Sequence, residues 1–195
     1  MLGCKHAVTP FDQRCKLGAE AGEPVYREMY QRLVGKLIYL SHTRPNISFF
    51  VNAVSRYMYD PRKGHTDAVY QILRYLKSAP GKGLTFIRNG HMKIEGYCDS
   101  DWASCVDDRR STSGYCIFVG SNLVSWRSKK QSVVARSTTE AEYRAMILGV
   151  AELLWLRGML VELKLDREDR MKLWCDSQSA ISIVNNSVQH IEPSI

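Results

Sequence analysis

Apolar residues recur at helical spacing in the first part of the chain. From residue 25 onward, large apolar side chains follow one another at intervals of three and four, the period of a helix with one buried face. These side chains are Tyr26, Tyr30, Leu33, Leu37 and Leu40. Arg44-Pro45 interrupts the pattern, because the residue before a proline is pushed out of the helical region. The same spacing predicts two further helices, over 47–58 and 65–76.

The pattern changes to alternation after Gly83, which is typical of strands with two different faces. The turn dipeptide Asn89-Gly90 and the stretch around Gly120 separate pairs of such segments. The predicted strands are 84–87, 92–99, 113–119, 123–128 and 172–175, and the predicted helices of this half are 138–163 and 177–184. Strands followed by helix, strand and helix predict a mixed α/β domain with a central sheet.

These patterns divide the chain into three segments. Residues 1–24 carry Pro10, Pro24 and several glycines without a sustained period, which predicts an extended, poorly ordered lead-in. Residues 25–82 form the helical segment, which closes in a turn-rich stretch of proline and glycine. We expect residues 83–195 to form the α/β domain.

The strand over 92–99 ends in two carboxylates, Asp99 and Asp101, flanked by Tyr97 and Trp102. An acidic group beside apolar neighbours costs free energy unless a cation or hydrogen bonds compensate it. Asp99 is therefore a candidate metal ligand, and the alternative is an ordinary aspartate at the end of a sheet. We expect Asp101 to cap or shape the following loop.

The long helix separates two neighbouring glutamates. Ser137 and Glu140 have the spacing of a capping box, so the helix is expected to begin near residue 137. At about 100 degrees per residue, Glu142 shares a face with Ala145, Gly149 and further apolar residues, while Glu140 lies nearly opposite. Capping explains Glu140. Glu142 is a candidate ligand at the head of an apolar stripe.

A third carboxylate, Asp176, follows the short strand over 172–175. An aspartate between strand and helix is often the N-cap of that helix, and this alternative stays open. If Asp99, Glu142 and Asp176 converge, three oxygen donors without histidine suit magnesium or manganese better than zinc. Two such ions about 4 Å apart can activate water for phosphodiester cleavage.

The charge of the chain adds a partner class. A formal net charge of +7 and a pI near 9.1 favour a polyanionic partner such as nucleic acid. The basic run at 126–131 offers Arg127, Lys129 and Lys130 as contacts to phosphate. An ordinary charged strand end is the alternative for these three residues.

The cysteines and the apolar runs indicate the compartment. Six cysteines show no CxxC pair and no zinc-type clustering with histidine, so we expect reduced thiols in an intracellular protein, cytoplasmic or nuclear. Cys98 and Cys175 each precede a candidate ligand and are expected to be small buried side chains. No stretch approaches the roughly 20 apolar residues of a membrane span, so no membrane partner is expected.

Long strings of the sequence resemble one known family. GYCDSDWAS at 96–104, DRRSTSGYCIFVG at 108–120, SWRSKKQSVVARSTTEAEYRAM at 125–146 and LWCDSQSAISIVNN at 173–186 resemble the ribonuclease H region of copia-type LTR retrotransposon Pol polyproteins. YQRLVGKLIYLSHTRPNISFFVNAVSRYM at 30–58 and AVYQILRYLKSAPGKGL at 68–84 resemble the connector after the reverse transcriptase palm. The resemblance covers about residues 25–190.

The resemblance places the catalytic and metal-binding carboxylates of that family on Asp99, Glu142 and Asp176. It implies a ribonuclease H-like fold with a five-stranded mixed sheet flanked by helices. The implied reaction is cleavage of the RNA strand of an RNA–DNA hybrid with two magnesium or manganese ions, and recognition of the 2′-hydroxyl would distinguish RNA from DNA. The implied partners are the hybrid and other parts of a retrotransposon polyprotein.

The end of the sequence departs from the family, in which a basic, His-containing stretch leads into a last helix with a fourth carboxylate. Here the sequence ends at Ile195, and Glu192 is the candidate substitute. We therefore expect a C-terminally truncated copy. The expected function is a ribonuclease H-type nuclease, and the alternative is an inactive relic that folds and binds nucleic acid without cleaving it.

Overall fold

A computed structural model of the chain describes residues 3–11, 17–165 and 170–186. The chain divides into two compact units, Met1–Thr85 and Phe86–Ile195. The boundary predicted from the sequence lies between residues 82 and 83. We call the first the helical unit and the second the sheet unit.

The helical unit contains three α-helices, α1 (Arg27–Ser41), α2 (Ser48–Ser55) and α3 (Lys63–Ser78), with a short 3-10 turn over Pro45–Ile47. Its core is apolar and buried, and it consists of Tyr30, Val34, Leu37, Ile47, Val51, Val54, Ala68, Val69 and Ile72. The predicted second helix is shorter than expected at its end. The N–H groups of Tyr57 and Met58 bond to carbonyls three residues back, which tightens the chain and ends α2.

The described parts of the lead-in, residues 3–11 and 17–24, contain no helix or strand of more than one residue. They are nevertheless bonded to α3. The N–H of Ala7 donates to the carbonyl of Arg74 at 3.2 Å, and the N–H of Gly64 donates to the carbonyl of Ala21 at 2.7 Å. The prediction of a poorly ordered lead-in did not include these backbone hydrogen bonds to α3.

The sheet unit is a mixed α/β structure, so the predicted fold class is confirmed. In the described residues its strands are β1 (Ile94–Asp101), β2 (Thr112–Val119), β3 (Asn122–Lys130) and β4 (Lys172–Trp174), in the order β3-β2-β1-β4. β2 runs antiparallel to both β1 and β3, and β4 runs parallel to β1. Two helices, α4 (Thr138–Glu162) and α5 (Gln178–Asn185), flank a sheet that is compatible with a ribonuclease H-like fold.

The strand predicted over 84–87 does not form, and the described sheet has four strands where the resemblance implied five. The side chain of Asn122 makes the hydrogen bonds to Ile87 that the backbone of a neighbouring strand would make. It accepts from the N–H of Ile87 at 2.7 Å and donates to the carbonyl of Ile87 at 2.9 Å. Phe86 and Ile87 are 64% and 62% exposed.

The two faces of β1 differ in burial. Ile94, Gly96, Cys98 and Ser100 are buried, whereas Tyr97, Asp99 and Asp101 on the opposite face are exposed. The buried face packs against α4. A Cβ on Gly149 of α4 would lie 3.1 and 3.2 Å from the methyl groups of Leu173 and 3.6 Å from the Cβ of Cys98. The missing side chain at Gly149 therefore lets α4 approach β1 and β4 closely.

Candidate metal centre

Two carboxylates from different elements converge on one backbone N–H group. The N–H of Ser100 in β1 donates to Oδ1 of Asp99 at 2.8 Å and to Oε1 of Glu142 at 3.2 Å. Asp99 belongs to β1 and Glu142 to α4. The shared donor brings the two acidic side chains to the same end of the sheet.

The start of α4 fixes the position of Glu142. Ser137 caps the helix, because its Oγ accepts from the N–H of Glu140 at 3.1 Å. Glu142 then falls in the buried stripe of the helix with Ala145 and Gly149, and it is 4% exposed. Glu140 instead accepts from the N–H of Arg136 at 2.8 Å and pairs with the side chain of Arg144, as expected for a capping residue.

Asp176 joins Glu142 through the parallel pairing of β4 with β1. Tyr97 of β1 is in register with Trp174 of β4, so Asp99 and Asp176, each two residues further along, lie at the same end of the sheet. Glu142, Cys175 and Asp176 each offer one ligand atom, and these atoms all lie within 4.8 Å of one another. The N-cap of α5 is Ser177, whose Oγ accepts from the N–H of Ala180 at 3.2 Å. The capping alternative for Asp176 therefore does not hold.

The electrostatics of this cluster are unfavourable for a bare carboxylate. The pKa of Glu142 is raised to about 7, first by burial and then by the negative charges of Asp99 and Asp176. No ion pair to Glu142 exists in the part of the chain that the structure describes. Burial and the neighbouring Asp99 also raise the pKa of Asp101. Among the described residues, the cluster thus gathers negative charge without an ion pair to a cationic side chain.

The donor set fits a hard divalent cation. Asp99, Glu142 and Asp176 supply carboxylate oxygens, which magnesium and manganese prefer, and a bound cation would remove the repulsion that raises the pKa of Glu142. These three residues would hold the metal. The fourth candidate, Glu192, lies outside the described residues.

Two further residues belong to this neighbourhood. Asp101 was expected to shape a loop, but it ends β1 on the same face as Asp99. The alternation of the sequence continues past residue 99, and this could have predicted that Asp101 belongs to the strand. Cys175 was expected to be a buried structural side chain, and its Sγ instead lies 3.9 Å from Oε2 of Glu142. This contact depends on the register of β4 with β1, which the local sequence pattern does not predict.

The basic residues of β3 lie at the same sheet end. Lys129 is in register with Ser113, which pairs with Ser100, so two strand spacings place Lys129 roughly 10 Å from Ser100 along the row. Arg127 and Lys129 are exposed. Lys130 differs, because its Nζ forms an ion pair with Asp108 at 2.7 Å. Arg127 and Lys129 are the basic side chains of this run that remain available to a phosphate.

Comparison with known proteins relates this chain to retrotransposon polyproteins. The Pol polyprotein of transposon RE2 from Arabidopsis thaliana is 37% identical over 191 residues, 97% of this chain and 13% of that polyprotein. The Pol polyprotein of transposon TNT 1-94 from Nicotiana tabacum is 42% identical over 162 residues, 83% of this chain and 12% of that polyprotein. The chain belongs to the copia-type retrovirus-related Pol polyprotein family.

A further relative is the uncharacterized mitochondrial protein AtMg00810 of Arabidopsis thaliana. It is 41% identical over 155 residues, 80% of this chain and 65% of its own length. The chain spans about an eighth of the two Pol polyproteins. No protein-family model matches the sequence. Among the described helices of this Pol-family chain, none is long and apolar enough to cross a membrane.

Proposed function

We propose that this chain is the ribonuclease H region of a Pol polyprotein and cleaves the RNA strand of an RNA–DNA hybrid. The observation that carries the proposal is the meeting of Asp99, Glu142 and Asp176, which come from β1, α4 and the end of β4, at one end of the sheet. Bound magnesium or manganese would lower the pKa of a water molecule and stabilise charge on the leaving oxygen.

The chain itself supplies ligands and orientation. Ser100 N–H holds one oxygen of Asp99 and one of Glu142, which leaves the second oxygen of each carboxylate for other contacts. Glu142 is buried at the head of α4, so its carboxylate is fixed by the helix, whereas Asp99 and Asp176 are exposed toward solvent. A rigid buried ligand beside two exposed ones suits a substrate that approaches from the solvent side.

Arg127 and Lys129 are proposed to contact the phosphate backbone. Both are exposed on β3, whose last residues lie at the same end of the sheet as the carboxylates. Contacts of this kind position a nucleic acid and lose strength as salt rises. Other parts of a polyprotein are proposed as further partners, since the Pol relatives contain about eight times the length matched here.

The test is cleavage of a hybrid that carries a label on its RNA strand, in magnesium and in manganese, beside RNA and DNA duplexes. We expect cleavage of the hybrid RNA alone, and a loss of at least about 100-fold in Asp99→Asn. Asp67→Asn is the matched control, because Asp67 forms an exposed pair with Lys63 far along the chain from these residues. This control is expected to retain full activity.

Two outcomes would overturn the proposal. One is a folded parent protein that cleaves no hybrid with either metal, and the other is equal cleavage by the parent and Asp99→Asn. A folded protein that binds the hybrid without cutting it would instead favour the alternative, a nucleic-acid-binding relic. Binding by Asp99→Asn at the parent level would support that alternative further, since it would show that binding does not need the carboxylate.

A further inference from the structure

A thiol lies among the carboxylates of the candidate metal centre. The Sγ of Cys175 and one oxygen each of Glu142 and Asp176 lie within 4.8 Å of one another, and the Sγ is 3.9 Å from Oε2 of Glu142. The three side chains come from α4 and from the two residues after β4. Glu142 is buried, Cys175 is half-buried and Asp176 is exposed, so the group is open to solvent on one side.

The donor set of this trio differs from that of Asp99, Glu142 and Asp176. Magnesium takes hard oxygen ligands, so a thiol adds nothing to its binding. Zinc, cobalt and cadmium accept thiolate sulfur beside carboxylate oxygen. With zinc–sulfur bonds of about 2.3 Å and zinc–oxygen bonds of about 2.0 Å, tetrahedral ligand atoms lie roughly 3.3–3.6 Å apart. Here the Sγ of Cys175 is 3.9 Å from Oε2 of Glu142, and all three ligand atoms lie within 4.8 Å of one another, so the side chains would have to move closer together on binding.

The surroundings of Glu142 give an independent reason to expect a cation at this position. Glu142 is 4% exposed, receives one backbone N–H bond, and forms no ion pair within the described residues. A buried carboxylate without a cationic partner is costly. Its second oxygen, Oε2, lies 3.9 Å from the Sγ of Cys175.

We propose that Glu142, Cys175 and Asp176 form a site for one thiophilic divalent cation of the zinc class. When bound, this ion excludes magnesium from Glu142 and Asp176, which belong to both ligand sets. On binding, the S–H bond of Cys175 breaks, its proton passes to solvent, and a sulfur–metal bond forms without a change of oxidation state. Binding stands on the geometry of the trio. Its consequence for activity, inhibition by zinc, rests on the proposed nuclease function.

Cys116 of β2 provides a matched control. It is half-buried like Cys175, and it is in register with Tyr97 of β1. Cys98 is unsuitable, because its thiol hydrogen-bonds to the thiol of Cys175. Cys116→Ser and Cys175→Ser make equal chemical changes, and only the second removes a proposed ligand.

The experiment is a titration of the reduced, metal-free full chain with cobalt, followed by the sulfur-to-cobalt charge-transfer absorption. We expect a band that saturates near one equivalent, bleaches when zinc is added, and shifts to higher cobalt concentration as magnesium rises. Cys116→Ser is expected to keep the band. Cys175→Ser should lose it, and Asp176→Asn should keep it with cobalt affinity at least about 10-fold weaker.

The results separate this proposal from the nuclease function. A parent protein without the band, or a band that is unchanged in Cys175→Ser, would overturn the thiophilic site whatever the nuclease assay shows. Cobalt binding that ignores magnesium would overturn the claim of a shared site. If cleavage never occurs but the cobalt results are as expected, the nuclease function fails and the metal site stands. If Cys175→Ser is unfolded, the cobalt affinity of Asp176→Asn decides, and an affinity equal to that of the parent would overturn the site.

Discussion

The two units treat buried polar side chains in opposite ways. In the helical unit, Arg44 is 7% exposed, and its guanidinium donates to the carbonyls of Ala79 at 3.0 Å and Pro80 at 2.6 Å. His65 is fully buried, and its Nδ1 accepts from the N–H of Arg62 at 2.9 Å. Both side chains are compensated by backbone groups, so their burial serves the packing of the helices.

In the sheet unit, Glu142 is equally buried but has one backbone donor and two acidic neighbours, Asp99 and Asp176. Its raised pKa expresses that lack of compensation. The contrast teaches that burial alone does not distinguish a structural polar residue from a ligand, whereas the balance of its partners does. Removing the buried charge should therefore destabilise the helical unit and stabilise the sheet unit.

The largest effect is expected for Glu142→Gln without divalent metal. The difference between the folded pKa of about 7 and the ordinary value of 4.5 corresponds to roughly 3 kcal/mol. Because the folded pKa is the higher one, this carboxyl does not reduce the free energy of unfolding below pH 4.5. The free energy of unfolding then declines as pH rises to about 7. We expect the variant to be more stable than the parent at pH 8 by up to about 3 kcal/mol.

Urea unfolding in EDTA at pH 8 and at low pH measures this difference. The variant should lose the decline of stability with pH, and magnesium should stabilise the parent more than the variant. Glu162→Gln, at the exposed end of the same helix, is the control and should behave as the parent. A variant that is less stable than the parent at pH 8 would remove the contrast between the units.

A smaller effect of opposite sign is expected in the helical unit. Arg44→Met keeps most of the apolar stem but leaves the carbonyls of Ala79 and Pro80 without their side-chain donor. We expect a loss of about 1–3 kcal/mol in the free energy of unfolding, measured in urea. Arg32→Met changes an exposed arginine of α1 and should have little effect. Equal stability of the two variants would contradict the structural role of Arg44.

The smallest effect compares two glycines of α4. A Cβ at Gly158 meets nothing within 4 Å, whereas one at Gly149 would lie 3.1 Å from a methyl group of Leu173. Gly158→Ala should stabilise the chain by about 0.5–1 kcal/mol through helix propensity. In Gly149→Ala, crowding should cancel that gain and also weaken magnesium binding, since α4 carries Glu142. Equal increases in the midpoint temperature of thermal unfolding would show that a side chain at residue 149 fits between α4 and the sheet without crowding.

Local sequence signals predicted the elements that carry the site. The capping box at Ser137 and the helical phase after it placed Glu142 on the buried stripe and Glu140 outside it, as the structure shows. These features depend only on residues within a few positions of each other. The assignment of the buried glutamate therefore needed no knowledge of the tertiary fold.

Other features depend on contacts between distant segments, which periodicity does not contain. The strand expected over 84–87 is replaced by a hydrogen-bonded pairing of Ile87 with the side chain of Asn122, 35 residues away. The place of Cys175 beside Glu142 follows from the register of β4 with β1. The predicted phosphate contact at Lys130 did not foresee its ion pair with Asp108.

The most direct measurement of the central claim is the titration of the Glu142 carboxyl carbon by NMR, with the signal assigned by its absence in Glu142→Gln. We predict a pKa near 7 in EDTA, a lower pKa in Asp99→Asn, and a marked decrease on saturation with magnesium. An ordinary pKa near 4.5 in the metal-free protein, or a raised one that magnesium leaves unchanged, would contradict a metal centre built on these carboxylates.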